Sequence, residues 1–336
     1  MSIKILGIES SCDDSSMAIL ENGHILTNLT YTQKIHEKYG GVVPEWASRK
    51  HMEAIIPLLN ETLEAASVRL EDLNAIAVTQ GPGLMGSLMV GIGFAKGLSL
   101  GLNIPLIAVN HLEAHITSLM IDDPKPEFPF LCLTISGGHT QLVLVYDIGQ
   151  MELLGTTIDD AAGEAFDKIG KHLGLPFPGG PYLDKLARTG KPIYKFPITK
   201  LDNYNYSFSG IKTSVLYFLR KKLAENPNFI QENLEDLCAS VQHTIIEILC
   251  IQLIEVSKKY KIKNIGIAGG VSANSGLRNK LQELQMEYGW NVYFPQFQYC
   301  TDNAAMIAMV AYFKFIKNEF SKDNFEAMAR YPLVNL

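Results

Sequence analysis

A chain of 336 residues with 47% hydrophobic residues is long enough for two cores, since domains run to roughly 100–200 residues each. Its 29 Lys and Arg stand against 35 Asp and Glu, a formal net charge of −6, which argues against a nucleic-acid binder that relies on a general basic excess. Five scattered cysteines, odd in number and without a Cys-x-x-Cys pair, exclude a disulfide framework and a zinc ribbon and fit a reducing cytoplasm.

The first residues are apolar, but Lys4 interrupts them and Glu9, Asp13 and Asp14 follow at once, so no secretory leader is expected. Short β-type runs at 3–8, 16–20 and 24–29 predict a three-strand meander. A helix over about 45–66, a strand at 75–79, a helix over about 87–100 and a strand at 106–109 follow, giving βββαβαβ. The uncharged run 74–95 is long enough for a membrane span, yet its Asn74, Thr79, Gln80, Pro82 and glycines suit a strand, turn and helix better. The pattern restarts near Phe128, with strands at 130–135, 141–146 and 151–157, then helices and further strands at 264–268 and 291–294. A Pro-rich and charged stretch at 122–129 sets the expected boundary: a first lobe of 1–126 joined by a returning segment 303–336, and a second lobe of 127–302.

Several short segments carry chemistry. His111-Leu-Glu-Ala-His115 puts two imidazoles one helical turn apart on one face, a spacing that chelates a metal. Glu113 points away from that pair, unlike the glutamate of a His-Glu-x-x-His peptidase. Asp302, at the start of the last predicted helix, is either a third ligand or an N-cap. The Gly81-Pro-Gly loop, Ser136-Gly137-Gly138-His139-Thr140 and Gly269-Gly-Val-Ser-Ala-Asn274 each follow a strand and present backbone amides to an anion or serve as tight packing turns. Asp167 lies beyond the first turn of a helix that opens with Asp159 and Asp160, and Gly179-Gly180 precede a helix holding Asp184. Lys212, Arg220, Lys221 and Lys222 read as a solvated helix face or a local phosphate contact.

Taken together, these motifs resemble the tRNA N6-adenosine threonylcarbamoyltransferase family, TsaD in bacteria. The resemblance runs from Gly7-Ile-Glu-Ser-Ser-Cys-Asp13 through Tyr39–Arg49, Gly81-Pro-Gly, His111/His115, Ser136–Gln141, Ile158–Lys168, Ser207–Thr213 and Ala268–Asn274 to Cys300–Ala308. It implies an α/β, two-lobed actin/Hsp70/sugar-kinase-like fold with a central interlobe cleft. It also implies transfer of threonylcarbamoyl from threonylcarbamoyl-AMP to N6 of the adenosine next to the anticodon, position 37, in tRNAs reading codons that begin with A. By the same resemblance His111, His115 and Asp302 bind one divalent metal, iron before zinc. Thr134, Ile135, Ser136, Gly137, Gly138, Asp167, Gly180, Asp184 and Asn274 hold the adenylate, and Asp13 positions or deprotonates the attacking amine. The implied partners are tRNA, an inactive TsaB-like paralogue and a TsaE-like P-loop ATPase, with an adenylate synthase upstream, in the cytoplasm and without a membrane.

Three departures stand out: Thr134 where the archaeal branch has a tyrosine ligand, His139 in place of an asparagine, and Ala329-Arg-Tyr-Pro332 in place of a Pro-Arg-Trp tail. The rival readings are a kinase or ATPase of the same superfamily, a metallopeptidase and a silent scaffold.

Overall fold

The computed structural model describes residues 2–322 and 324–334. In chain order the elements begin with β1 (Lys4–Glu9), β2 (Asp14–Glu21), β3 (His24–Thr32), α1 (Pro44–Ala66), β4 (Ala75–Gly81), α2 (Met85–Leu102), β5 (Leu106–Asn110) and α3 (His111–Thr117). Next come β6 (Phe130–Ile135), β7 (Thr140–Asp147), β8 (Gln150–Thr156), α4 (Ala162–His172), α5 (Gly179–Ala187), α6 (Ser209–Glu225), α7 (Phe229–Glu232) and α8 (Leu234–Tyr260). The last are β9 (Asn264–Ala268), α9 (Ser275–Tyr288), β10 (Asn291–Tyr293) and α10 (Ala304–Ile316). The chain divides into two compact units, Met1–Lys125 with Pro295–Leu336, and Pro126–Phe294.

In the first unit the sheet order is β3-β2-β1-β4-β5, with β1, β4 and β5 parallel. Side chains alternate across β1 because successive Cβ atoms point to opposite faces. Leu6 and Ile8 pack with Ile55 and Leu58 of α1 and Leu88 and Ile92 of α2. Ile5 packs on the other side with Met306, Ile307 and Val310 of α10 and Ala114 of α3. Burial on both faces is why these strands read as continuous apolar runs. Each fully buried Ile or Val contributes about 1.5–3 kcal/mol relative to exposure.

Gly7 seats α10 on β1. A Cβ at Gly7 would lie 2.5 Å from the Ala304 carbonyl oxygen and 3.0 Å from the Ala308 Cβ, so the helix lies directly on the strand. Two side chains from the meander then satisfy the free amides of the helix start: Ser16 Oγ accepts from Ala304 N at 2.9 Å and Asn28 Oδ1 from Ala305 N at 3.0 Å. The segment Pro295–Asn303 that leads into α10 is grouped with the first unit. Within that segment Asp302 lies against the α3 histidines, 3.1 Å from His115 Nε2.

The second unit has sheet order β10-β9-β6-β7-β8, with β6, β9 and β10 parallel and β6-β7-β8 an antiparallel meander. Leu131, Leu133 and Ile135 of β6 form one core with Phe166 of α4, Leu183 of α5 and Leu249 of α8. By length and composition α2 and α8 are apolar enough to cross a membrane, but 78% of the apolar stretch of α8 is buried in this core. The uncharged run 74–95 resolves into β4, a turn and the start of α2. All five cysteines are free.

Candidate metal centre and donor-binding residues

The parallel strands of the first unit end together, and their carboxyl ends carry the chemistry. β5 stops at Asn110, whose side-chain oxygen accepts from the amides of Leu112 at 2.9 Å and Glu113 at 3.2 Å and so starts α3 at His111. The four-residue spacing stacks the two imidazoles edge to face, with ring centroids 4.7 Å apart. The segment leading into α10 supplies Asp302, just before the N-cap Asn303, whose side chain accepts from Met306 N at 3.0 Å. Asp302 Oδ1 lies 3.1 Å from His115 Nε2 and 3.4 Å from His111 Nε2. The fold thus brings together the three residues expected as metal ligands.

These separations suit a metal. Bonds of about 2.0–2.2 Å to imidazole and carboxylate donors at tetrahedral or octahedral angles place the donors about 3–3.5 Å apart. The three candidate ligand atoms all lie within 4.8 Å of one another, and both Nε2 atoms converge on one carboxylate oxygen. Both histidines are buried, and Asp302 is about a quarter exposed (24%), which leaves the site an open side.

One residue escaped the sequence reading. Glu9, at the end of β1, is 1% exposed, and its Oε2 lies 3.0 Å from His111 Nδ1 and accepts from Thr79 Oγ1 at 2.6 Å, while Oε1 accepts from the Ser11 amide. An acid closing the apolar run Ile5-Leu-Gly-Ile was the available signal, because a buried carboxylate needs partners. Burial pushes the His111 ring toward neutrality, but the Asp302 and Glu9 carboxylates outweigh it and hold its pKa well above 6.5. Burial likewise raises Glu9, and the His111 charge and hydrogen bond reverse this and leave it lowered. Asp302, partly buried, is held far below the usual carboxylate range by His111 and His115 against the raising effect of desolvation.

Asp13 lies in the turn between β1 and β2, half-buried, with its carbonyl accepting from Gln33 N at 3.2 Å. In its neighbour Asp14, burial first, then the negative charges of Asp302 and Asp13, raise the carboxyl to about 7 against a lowering hydrogen bond from Thr32. The Gly81-Pro-Gly loop is a packing turn. A Cβ at Gly83 would lie 2.6 Å from the Ser11 carbonyl oxygen, and Gly83 N donates to Ala329 O at 3.3 Å. The diverged tail runs along this loop: Met328 N donates to Gln80 O, and Pro332 O accepts from Asn110 Nδ2, both at 2.9 Å. Glu113 pairs with Lys314 of α10 at 3.6 Å and takes no part in the imidazole cluster.

In the second unit, the β6–β7 turn is closed by Ser136 N donating to His139 O at 2.8 Å and by His139 N donating to Ser136 Oγ at 3.1 Å. Gly137 and Gly138 face open space, since a Cβ on either meets nothing within 4 Å. Thr134 and Ile135 are buried in β6, Ile135 within the core. Gly163 and Gly269 allow α4 and the β9 turn to abut this end of β6: added Cβ atoms would lie 2.5 Å from the carbonyl oxygens of Ser136 and Ile135, respectively.

Hydrogen bonds then chain the remaining expected residues together. Asp167 Oδ1 accepts from Gly180 N at 3.0 Å. Asp184 Oδ1 accepts from the Ser275 amide at 3.0 Å and its hydroxyl at 2.7 Å, while Oδ2 accepts from Arg188 at 2.9 Å. Asn274 caps α9 through Leu277 N and donates to Gln242 Oε1 at 3.0 Å. Asp184 and Asn274 are therefore frame-holding groups as the protein stands. The Ser207–Thr213 motif is a clasp: Asp159 accepts from the Ser207 and Ser209 hydroxyls, both at 2.6 Å, and Lys212 pairs with Asp160 at 3.0 Å. This pairing removes Lys212 from the basic face read in the sequence.

The family model for TsaD, tRNA N6-adenosine threonylcarbamoyltransferase, matches residues 24–309. The chain belongs to that family. Among its relatives, the tRNA N6-adenosine threonylcarbamoyltransferase of Christiangramia forsetii is 54% identical over 98% of both chains, and that of Riemerella anatipestifer 56% over 98% of both. Among solved structures, component A of the Acidaminococcus fermentans (R)-2-hydroxyglutaryl-CoA dehydratase superposes with a TM-score of 0.56 at 18% identity, covering 93% of this chain and 98% of that one. HypF of T. kodakarensis gives 0.60 at 14% identity, covering 96% of this chain and 49% of that one. These likenesses place the fold in the actin/Hsp70/sugar-kinase class. The chain is thus a transferase that threonylcarbamoylates adenosine in tRNA, and neither the kinase nor the peptidase reading is favoured.

Proposed function

We propose that this transferase takes threonylcarbamoyl from threonylcarbamoyl-AMP and delivers it to N6 of adenosine 37 in tRNAs reading codons that begin with A. In this reading the N6 amine attacks the carbamoyl carbon, a C–N bond forms, the bond from that carbon to the phosphate oxygen breaks, and AMP leaves with the electron pair. Asp13 orients the amine or accepts its proton. Gly137 and Gly138 offer backbone groups beside open space to the adenylate, Thr134, Ile135 and Ser136 hold that turn at the end of β6, and Asp167, Gly180, Asp184 and Asn274 fix the helices around it.

The observation that carries the proposal is the convergence of His111, His115 and Asp302. These residues would hold one divalent ion, iron or zinc, and such an ion supplies Lewis-acid stabilisation of developing negative charge. A TsaB-like paralogue and a TsaE-like ATPase complete the cytoplasmic system.

The test is nucleoside mass spectrometry of tRNA from cells depleted of the protein and complemented with wild type or His115→Ala. Threonylcarbamoyladenosine should vanish on depletion and return with wild type only. Full modification with His115→Ala would remove the metal from the reading, and full modification without the protein would remove the reaction itself.

A further inference from the structure

Glu9 sits where the orientation and tautomer of a metal-binding imidazole are decided. A histidine that ligates through Nε2 must carry its proton on Nδ1, and the partner of Nδ1 fixes that choice. The partner here is Glu9 Oε2 at 3.0 Å, with the Ser11 hydroxyl farther off at 3.3 Å. Glu9 is itself immobilised from two sides, by Thr79 Oγ1 on Oε2 and by the Ser11 amide on Oε1. Its place at the end of β1, against the residue after β5, makes it part of the sheet rather than of a loop.

We infer that Glu9 is a positioning residue that holds His111 with its proton on Nδ1, so that the Nε2 lone pair faces Asp302 and the metal. This rests on the three-residue metal site proposed above and adds to it the group that selects the ligating nitrogen. Carboxylate–histidine–metal relays of this kind raise ligand basicity, and losing the outer partner typically weakens metal binding about 10–100-fold.

The two hydrogen bonds on Glu9 make the proposal sharper than a packing role. In Glu9→Gln the Ser11 amide can donate only to an oxygen, so the carbonyl oxygen of the new side chain must take the Oε1 position and its NH2 the Oε2 position. The Thr79 hydroxyl can turn to accept from that NH2, and the NH2 then donates to His111 Nδ1. Nδ1 becomes the acceptor and Nε2 carries the proton, which closes the ligand position. Glu9→Ala removes the partner without imposing the wrong tautomer. The near-isosteric variant should therefore bind metal worse than the truncated one, the reverse of the order that packing loss alone produces.

The experiment is chelator-competition titration of Zn2+ into metal-free wild type, Glu9→Gln, Glu9→Ala and His115→Ala, with thermal melting of the metal-free proteins and 1H–15N long-range NMR of His111. The expected result is about 10-fold weaker binding for Glu9→Ala and about 100-fold for Glu9→Gln. Glu9→Gln should melt closer to wild type than Glu9→Ala, and in the zinc-titrated proteins the His111 signature should move from Nδ1–H with a ligating Nε2 in wild type to Nε2–H in Glu9→Gln. Wild-type affinity in Glu9→Gln, or a greater loss in Glu9→Ala than in Glu9→Gln, overturns the assignment while leaving the three ligands in place. Wild-type affinity in His115→Ala overturns the metal site and this assignment together.

Discussion

Substituting Gly7 tests how the carboxylate from α10 reaches the two imidazoles. In Gly7→Ala the new Cβ meets the Ala304 carbonyl oxygen at 2.5 Å and the Ala308 Cβ at 3.0 Å, both on the buried side of α10. Neither is a flexible side-chain end, so the helix must retreat from β1 by roughly 0.5–1 Å, an overpacking shift that costs about 1–3 kcal/mol. Ala304 is two residues from Asp302, and metal–ligand distances tolerate only about ±0.2 Å, so the retreat exceeds what the ligand set absorbs. We expect melting of the metal-free protein to fall by a few degrees and Zn2+ affinity by about tenfold or more, the latter equal to about 1.4 kcal/mol. The control is Gly93→Ala in α2, where an added Cβ meets nothing within 4 Å; it should be neutral or stabilise by up to about 1 kcal/mol. Scanning fluorimetry and chelator competition read both quantities. Unchanged melting and affinity in Gly7→Ala would mean that α10 is not seated on β1 as described.

Three further outcomes follow from the same geometry. Because the Asp14 carboxyl is raised to about 7 from 3.8, the metal-free folded protein binds a proton that the unfolded chain has released across that interval, and stability falls as pH rises through it. Asp14→Asn should therefore stabilise the metal-free protein at pH 8, by a few kcal/mol at most in denaturant titration, and leave it nearly unchanged at pH 4; equal effects at both values would contradict the burial argument. Asp184→Ala strips the Ser275 amide of its acceptor, and we expect a loss of about 1–3 kcal/mol in denaturant titration together with weaker binding of the adenylate. Glu113→Ala loses only a contact to Lys314 and should keep tRNA modification near the wild-type level in a nucleoside assay, whereas a collapse of activity would revive a peptidase-like role for this acid.

Local rules made much of this legible. The His111/His115 pair follows from helix periodicity, and the alternation in β1 and β4 follows from strand pleat, so both were available to a reader of the chain. β3 extends to Thr32 instead of ending near Leu29, because Asp14 pairs with Thr32 in the meander, a register that residue types do not announce. Asp302 was readable as an acid before a helix, but its approach to His115 spans 187 positions and depends on Gly7 letting α10 down onto the sheet. Glu9 stayed hidden for the same reason: its partners Thr79 and His111 lie 70 and 102 positions away. The full engagement of Asp184 was out of reach because it depends on α5 and α9 becoming neighbours, which no short window encodes.

The first unit is discontinuous, with residues 126–294 inserted between the helix that carries the histidines and the segment that carries Asp302 into α10. During translation the ribosome therefore releases the whole inserted unit while α3 still lacks its third ligand. In the metal site proposed above, a nascent chain would offer a passing ion two imidazoles and no Asp302 carboxylate, so tight loading would follow translation, and a polypeptide released early would lack the third donor however well its inserted unit had folded.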